Sequence, residues 1–113
     1  MEIDRLQSEA RRLTEGLEHP RVGAALALGE ECGEVLRWVL EREIYGSDAS
    51  SDALADEVGD VLVSLAEICD RYDLSLADCA RSVLSKLERK APEWREQLGD
   101  AMRATRERLD GSS

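Results

Sequence analysis

The chain has 113 residues and a formal net charge of -10, which fits one small acidic domain over residues 1–113. Such a charge repels phosphate backbones, so the composition argues against a nucleic-acid polymer as partner. No apolar run approaches the ~20 residues of a membrane span, and the N-terminus lacks a signal-peptide pattern. We therefore expect a cytoplasmic protein that does not associate with membranes.

Apolar residues recur at spacings of three and four in five stretches, and each stretch predicts a helix. The stretches run from about Ile3 to Leu17, Arg21 to Ile44, Ser51 to Tyr72, Ser75 to Lys90 and Pro92 to Leu109. Ser51 is the expected N-cap of the third helix, and Ser75 with Asp78 fits a capping box opening the fourth. Pro92 suits the first turn of a fifth helix. The predicted fold is all-α, a four- to five-helix bundle.

The three cysteines, Cys32, Cys69 and Cys79, form no C-x-x-C motif and are odd in number. Each lies in an apolar-periodic segment. They are predicted to be small buried thiols in a reducing compartment, without a disulfide or zinc site.

One nine-residue pattern occurs twice, at Leu28–Leu36 and at Leu54–Leu62. Both copies contain acid, acid, apolar residue, Gly, acid, Val and Leu in that order. Gly33 and Gly59 occupy matching places, although glycine costs about 1 kcal/mol inside a helix. We expect these glycines to let two helix backbones approach closely.

Each copy places two acids beside its apolar stripe on a helical wheel: Glu31 with Glu34, and Glu57 with Asp60. In an antiparallel hairpin, Glu34 opposes Glu57 and Glu31 opposes Asp60, because both pairs share the midpoint 45.5, beside a polar loop. Unpaired carboxylates near a core are unfavourable and repel one another, and neither repeat has a basic residue on the same flank. The four acids are therefore predicted to bind a divalent metal.

The donor set indicates which metal. Ligands that are all oxygen favour Mg²⁺ or Mn²⁺ over zinc, and a di-iron site would need histidines within the repeats. The plainer interpretation is two solvated helix flanks with chance spacing. Two acid pairs at one wheel angle, with matched glycines, favour the metal site.

These residues resemble the MazG-like nucleotide pyrophosphohydrolases, an all-α family with E-x-x-E on one helix and E-x-x-D on the next. The motifs here read Glu31-Cys-Gly-Glu34 and Glu57-Val-Gly-Asp60, with the doubled acid Glu30-Glu31. The stretch His19-Pro20-Arg21 is similar to the dCTP pyrophosphatase branch. The resemblance implies Mg²⁺-dependent hydrolysis of a nucleoside triphosphate to the monophosphate and pyrophosphate, in nucleotide-pool sanitation. It also implies a homodimer or homotetramer.

Further residues are candidates for roles beside the four acids. Glu30, the neighbour of Glu31, is the candidate to orient or deprotonate the attacking water; Lys86 fits the lysine of the family, and Lys90, one turn later, is a second candidate to contact phosphates. Trp38, on the acid flank one turn from Glu34, is a candidate to stack on the base, and His19 to contact it. Their plainer interpretations are an exposed acid, helix C-terminal cations, a core tryptophan and an incidental loop histidine. An Asn and an Arg that often follow the lysine in this family are both replaced here.

Two other functions stay open. One is a catalytically inactive module that binds metal or holds helices together in an oligomer. The other is a helical adaptor that binds a partner. The four intact acids favour the enzyme, whereas the altered Lys/Asn/Arg segment favours the inactive module.

Overall fold

The computed structural model describes residues 1–111, which form four α-helices and no strand. The helices are α1 (Ile3–Leu13), α2 (Arg21–Glu43), α3 (Ser51–Arg71) and α4 (Leu76–Asp110). The predicted all-α class is confirmed. None of these helices combines the length and the apolar character needed to cross a membrane.

Local side-chain hydrogen bonds start two of the helices. The Ser50 hydroxyl accepts a hydrogen bond from the Asp52 N–H at 3.1 Å, so the N-cap of α3 is Ser50 and the predicted Ser51 is wrong by one residue. The Ser75 hydroxyl accepts from the Asp78 N–H at 3.2 Å. That bond is the serine half of the predicted capping box at the start of α4.

Two predicted helix ends are wrong. Helix α1 stops at Leu13 instead of continuing to Leu17, because Gly16 adopts a φ of 83° that a right-handed helix cannot accommodate. Helix α4 runs through Pro92 without a break. Proline removes one intrahelical hydrogen bond and is unfavourable there, but the Leu, Glu, Arg and Lys residues on both sides favour the helix strongly enough to continue it.

The chain forms two compact units, Met1–Asp78 and a second that begins at Cys79. The first unit contains α1, α2, α3 and the first turn of α4. Helix α3 is its centre, since both α1 and α2 pack against it. Within the described residues, the second unit consists of the remainder of α4.

The interior of the first unit is built from small side chains. Its buried apolar residues are Ala24, Ala66, Cys69 and Ala77, and no large side chain among the described residues is fully buried. Cys69 is a buried free thiol, as predicted. The predicted burial of Cys32 and Cys79 is wrong: both thiols are exposed, because the apolar stripes on which they lie are only partly covered.

The buried side chain of Gln7 joins α1 to the turn between α3 and α4. Its Nε2 donates to Asp70 Oδ1 at 2.8 Å and to the Leu74 carbonyl at 3.0 Å. Its Oε1 accepts from the Leu76 N–H, the first residue of α4, at 2.8 Å. One side chain therefore satisfies three groups that are 63 to 69 residues away in sequence.

We expect Gln7→Ala to lower the free energy of unfolding by roughly 1–3 kcal/mol, because it leaves partly buried backbone groups without hydrogen bonds. Urea denaturation measures this. Gln97→Ala is the matched control, since Gln97 is exposed and its side chain bonds, among the described residues, only to Glu93 at 3.4 Å. Equal effects of the two substitutions would contradict the bridging role of Gln7.

The Asp70 carboxylate should contribute stability that depends on pH. Partial burial raises the pKa of Asp70, but hydrogen bonds from Arg11 and Gln7 outweigh it and hold the pKa below its usual value. A folded-state pKa below that of the unfolded chain means that the contribution is complete above about pH 4 and is lost as the pH falls through the folded pKa. The stability difference between wild type and Asp70→Asn should therefore be larger at pH 7 than at pH 3. A difference that does not change with pH would contradict the prediction.

Candidate metal centre

Helices α2 and α3 run antiparallel, as the sequence predicts. Arg21, the first residue of α2, contacts the end of α3: its Nε donates to the Arg71 carbonyl at 3.4 Å, and its guanidinium lies 5.5 Å from the centre of the Tyr72 ring. The loop of residues 44–50 joins the helices at the other end. Residues equidistant from this loop therefore lie opposite one another.

This pairing brings three of the four predicted acids together. One carboxylate oxygen each from Glu31, Glu57 and Asp60 lies within 4.8 Å of the others. Glu31 and Glu57 are half-buried, whereas Asp60 is exposed. The cluster therefore has one side toward the helix pair and one side open to solvent.

The cluster is electrostatically strained without a counter-ion. Partial burial raises the pKa of Glu31 above its ordinary value, and repulsion from Asp60, Glu57, Glu30 and Glu34 adds to the rise. No Lys or Arg among the described residues forms an ion pair with these three carboxylates within 4.0 Å. Three hard oxygen donors in reach of one another match the ligands of a divalent cation such as Mg²⁺ or Mn²⁺.

The fourth predicted ligand, Glu34, does not belong to this group of three. Its carboxylate accepts a hydrogen bond from Arg37 at 2.6 Å, one turn further along α2. Arg37 follows directly after the nine-residue repeat and therefore lies outside the pattern that predicted the four ligands. Glu34 already has a cation, which explains why it is separate from the acids that have none.

The predicted close approach of the helices at Gly33 and Gly59 is wrong. Among the described residues, a methyl group placed on either glycine would meet no atom within 4 Å apart from its chain neighbours and the adjacent backbone of its own helix. The glycines instead leave open space on both helices. Both lie one residue from a predicted metal ligand, so the space is next to the acids.

The other predicted site residues have different surroundings. Glu30 is exposed beside Glu31 on α2. Trp38 stacks with Arg42, whose guanidinium is 5.6 Å from the ring, and its buried Nε1 has no hydrogen-bond partner among the described residues. Lys86 and Lys90 are exposed on the part of α4 that belongs to the second unit.

His19 lies in the first unit, in the loop between α1 and α2. Its Nδ1 is 2.7 Å from the Glu67 carboxylate on α3. Both residues line a cavity of about 580 Å³ between α1, this loop and α3. His19 is a predicted site residue and Glu67 is not, although Glu67 is seven residues after Asp60 and so lies on nearly the same helix face.

The fold and the cluster define an all-helical protein with carboxylates grouped in the manner that suits divalent cations. Residues 23–94 match the MazG nucleotide pyrophosphohydrolase domain. The match covers more than half of the chain and includes all three clustered acids, so the chain belongs to this family. No curated protein and no solved structure matches the chain.

We expect Glu57→Gln to raise the melting temperature in a chelator, since it removes one of three mutually repelling carboxylates. Added Mg²⁺ or Mn²⁺ should stabilise the wild type by about 2.7 kcal/mol at 100 times the Kd. The same metal should stabilise Glu57→Gln much less. Thermal denaturation with and without metal measures both effects.

Asp56→Asn is the matched control, because Asp56 is an exposed acid next to Glu57 but outside the cluster. It should leave the response to metal unchanged. Equal metal stabilisation of all three proteins would contradict binding at the cluster.

Proposed function

We propose that the protein is a metal-dependent nucleoside triphosphate pyrophosphohydrolase that converts a (d)NTP and water to the (d)NMP and pyrophosphate, in nucleotide-pool sanitation. The convergence of Glu31, Glu57 and Asp60 carries the proposal. Membership of the MazG nucleotide pyrophosphohydrolase family supports the reaction class. The substrate and the cluster are both anionic, so a cation is needed for the two to meet.

Glu31, Glu57 and Asp60 would hold Mg²⁺ or Mn²⁺, and Glu34 would join them only by leaving Arg37. When bound, the cation neutralises negative charge on the triphosphate and on its leaving group. Glu30 is exposed and adjacent to Glu31, so its carboxylate can accept the proton of a water that attacks the α-phosphorus.

The candidates for contacts to the rest of the nucleotide lie outside the cluster. Lys86 and Lys90 are one turn apart on α4 and carry charges suited to the phosphates. His19 and Trp38 are the two candidates for the base. The specific substrate, including a preference for dCTP, belongs to this proposal.

Assembly of several copies belongs to the same proposal. Leu36 on α2 and Leu62 on α3 are 62% and 43% exposed, and no large apolar side chain is fully buried among the described residues. A chain this small gains little from its own core, so covering these side chains in a homodimer or homotetramer would stabilise it.

The test is hydrolysis of a panel of NTPs and dNTPs with Mg²⁺ or Mn²⁺, with pyrophosphate and orthophosphate measured separately. We expect pyrophosphate release that requires metal and falls roughly 100-fold or more in Glu57→Gln, because the ligand set is broken. Asp56→Asn should keep wild-type activity. Light scattering on the active preparation gives the number of subunits.

The competing function is an inactive module that binds metal or joins helices. It predicts metal stabilisation without turnover of any nucleotide. Orthophosphate as the only product would instead indicate a different phosphoanhydride hydrolase.

A further inference from the structure

We propose that the second unit of the chain pairs with the second unit of another copy, as two antiparallel helices that bury an apolar stripe of α4. This α4 stripe consists of Leu84, Leu87, Ala91, Trp94, Leu98 and Met102. The surface is distinct from the exposed leucines of α2 and α3, and the inference does not depend on the proposed enzymatic activity.

The α4 stripe is a continuous apolar face that this chain leaves uncovered. Its residues recur at spacings of three and four and lie within a sector of about 80° on a helical wheel. Leu84, Leu98 and Met102 are 62%, 51% and 60% exposed, and no residue from Cys79 to Gly111 is buried. Helices are stabilised mainly by packing such a face, and exposed apolar faces mark interaction sites.

The stripe continues beyond the matched family domain. The family match ends at residue 94, whereas α4 continues to Asp110, and both Leu98 and Met102 lie in this continuation. The apolar spacing does not change at the boundary. The surface therefore belongs to α4 as a whole, and the family match does not explain it.

The shapes of the side chains make the stripe complementary to itself in an antiparallel pair. Leu87 with Leu98, and Ala91 with Trp94, share the midpoint 92.5, so a two-fold axis there places each residue opposite its counterpart in the second copy. The large indole of Trp94 then lies against the small Ala91. In a parallel pair the two indoles would meet in one layer and the two alanines in another, which packs less evenly.

The charges beside the stripe favour the same orientation. Glu88 and Arg95 lie on one flank, about 20° apart on the wheel, and neither forms an ion pair within residues 1–111. In the antiparallel pair, Glu88 of each copy lies opposite Arg95 of the other, which gives two ion pairs. In a parallel pair, Lys90 of each copy would instead lie beside Arg95 of the other, which gives two repulsions.

The same two residues also select the register of the antiparallel pair. Sliding one helix by seven residues keeps apolar residues opposite one another. In one direction this shift places Glu88 opposite Glu88 of the second copy, and in the other direction it places Arg95 opposite Arg95. Both contacts are repulsive, so the apolar packing and the charges agree in the register with Glu88 opposite Arg95.

The first experiment reverses each charge in the full chain. Glu88→Arg and Arg95→Glu should each raise the dissociation constant of the complex roughly tenfold or more, because each variant replaces both ion pairs by like-charge contacts. The double variant should associate as the wild type does, since it restores both pairs with exchanged charges. Sedimentation velocity over a dilution series measures the association, and circular dichroism verifies that the helices are retained.

Glu96→Arg is the matched control, because Glu96 is an exposed acid on the opposite face of α4. It should leave the dissociation constant unchanged. Assembly through α2 and α3 would not respond to these substitutions, so it cannot imitate a loss in both single variants and its rescue in the double variant. A single variant that associates like the wild type would overturn the proposal. Tighter association of Arg95→Glu would also overturn it, in favour of a parallel pair.

The second experiment mixes the two single variants. One has only positive and the other only negative charges at the two positions, so a mixed pair is complementary and each unmixed pair is repulsive. Native mass spectrometry distinguishes the complexes by mass. Mixed complexes should exceed the proportion expected from random mixing, and a random proportion would overturn the pairing of Glu88 with Arg95.

The third experiment uses the fluorescence of Trp94. The chain has two tryptophans, so Trp38→Phe leaves Trp94 as the single indole. Trp94 is 39% exposed and would be covered by the second copy. Its emission should move to shorter wavelength as the protein concentration rises, and addition of Arg95→Glu should abolish the shift. Self-association without a shift would overturn α4 as the contact, as would a wild type that stays monomeric at its highest soluble concentration.

These results are independent of nucleotide hydrolysis. If no nucleotide is hydrolysed but the charge reversals weaken association and the double variant restores it, the proposed function fails and the helix pairing stands. If hydrolysis is observed and the charge reversals have no effect on association, the enzyme stands and the helix pairing fails.

Discussion

The antiparallel pairing of α2 with α3 brings like charges together and keeps them there. Glu31 from one helix lies against Glu57 and Asp60 from the next, and no basic side chain within residues 1–111 forms an ion pair with any of the three. In water, carboxylates so placed would move apart. The helices hold them because each acid lies on a flank beside an apolar stripe, and shifting the pairing would also shift that stripe.

Helix α3 connects this cluster to the rest of the first unit. On another side it packs against α1, and Asp70, near its C-terminus, accepts hydrogen bonds from both Gln7 and Arg11 of that helix. Asp70 also lines the cavity that contains His19 and Glu67. The groups that fix α1 to α3 thus also shape the wall of the cavity.

The sequence predicts the parts of this structure that depend on local periodicity. Helices α2 and α3 follow from the spacing of their apolar residues. The convergence of Glu31 with Asp60 follows from their opposite positions in an antiparallel hairpin. The Gln7 bridge could not be predicted in this way, because a buried glutamine looks like an exposed one until its partner 63 residues away is known. The same holds for His19 and Glu67, which are 48 residues apart.

Other errors have different physical origins. The i, i+3 spacing of Glu34 and Arg37 is enough to predict their ion pair. The pair was missed because Arg37 lies just outside the repeated pattern. At Pro92 the strong helix formers on both sides overrode the usual stop signal. The burial of the cysteines was predicted from apolar periodicity. Periodicity shows which helix face is apolar, but not whether other residues of this chain bury that face.

The opposite directions of α2 and α3 have a consequence for how this protein can change. From the acids, α3 leads toward α1 and the cavity beside His19, whereas α2 leads toward Trp38 and the loop of residues 44–50. Substitutions at one end therefore need not disturb the other end or the acids between them. A scaffold with this polarity can change its two ends independently.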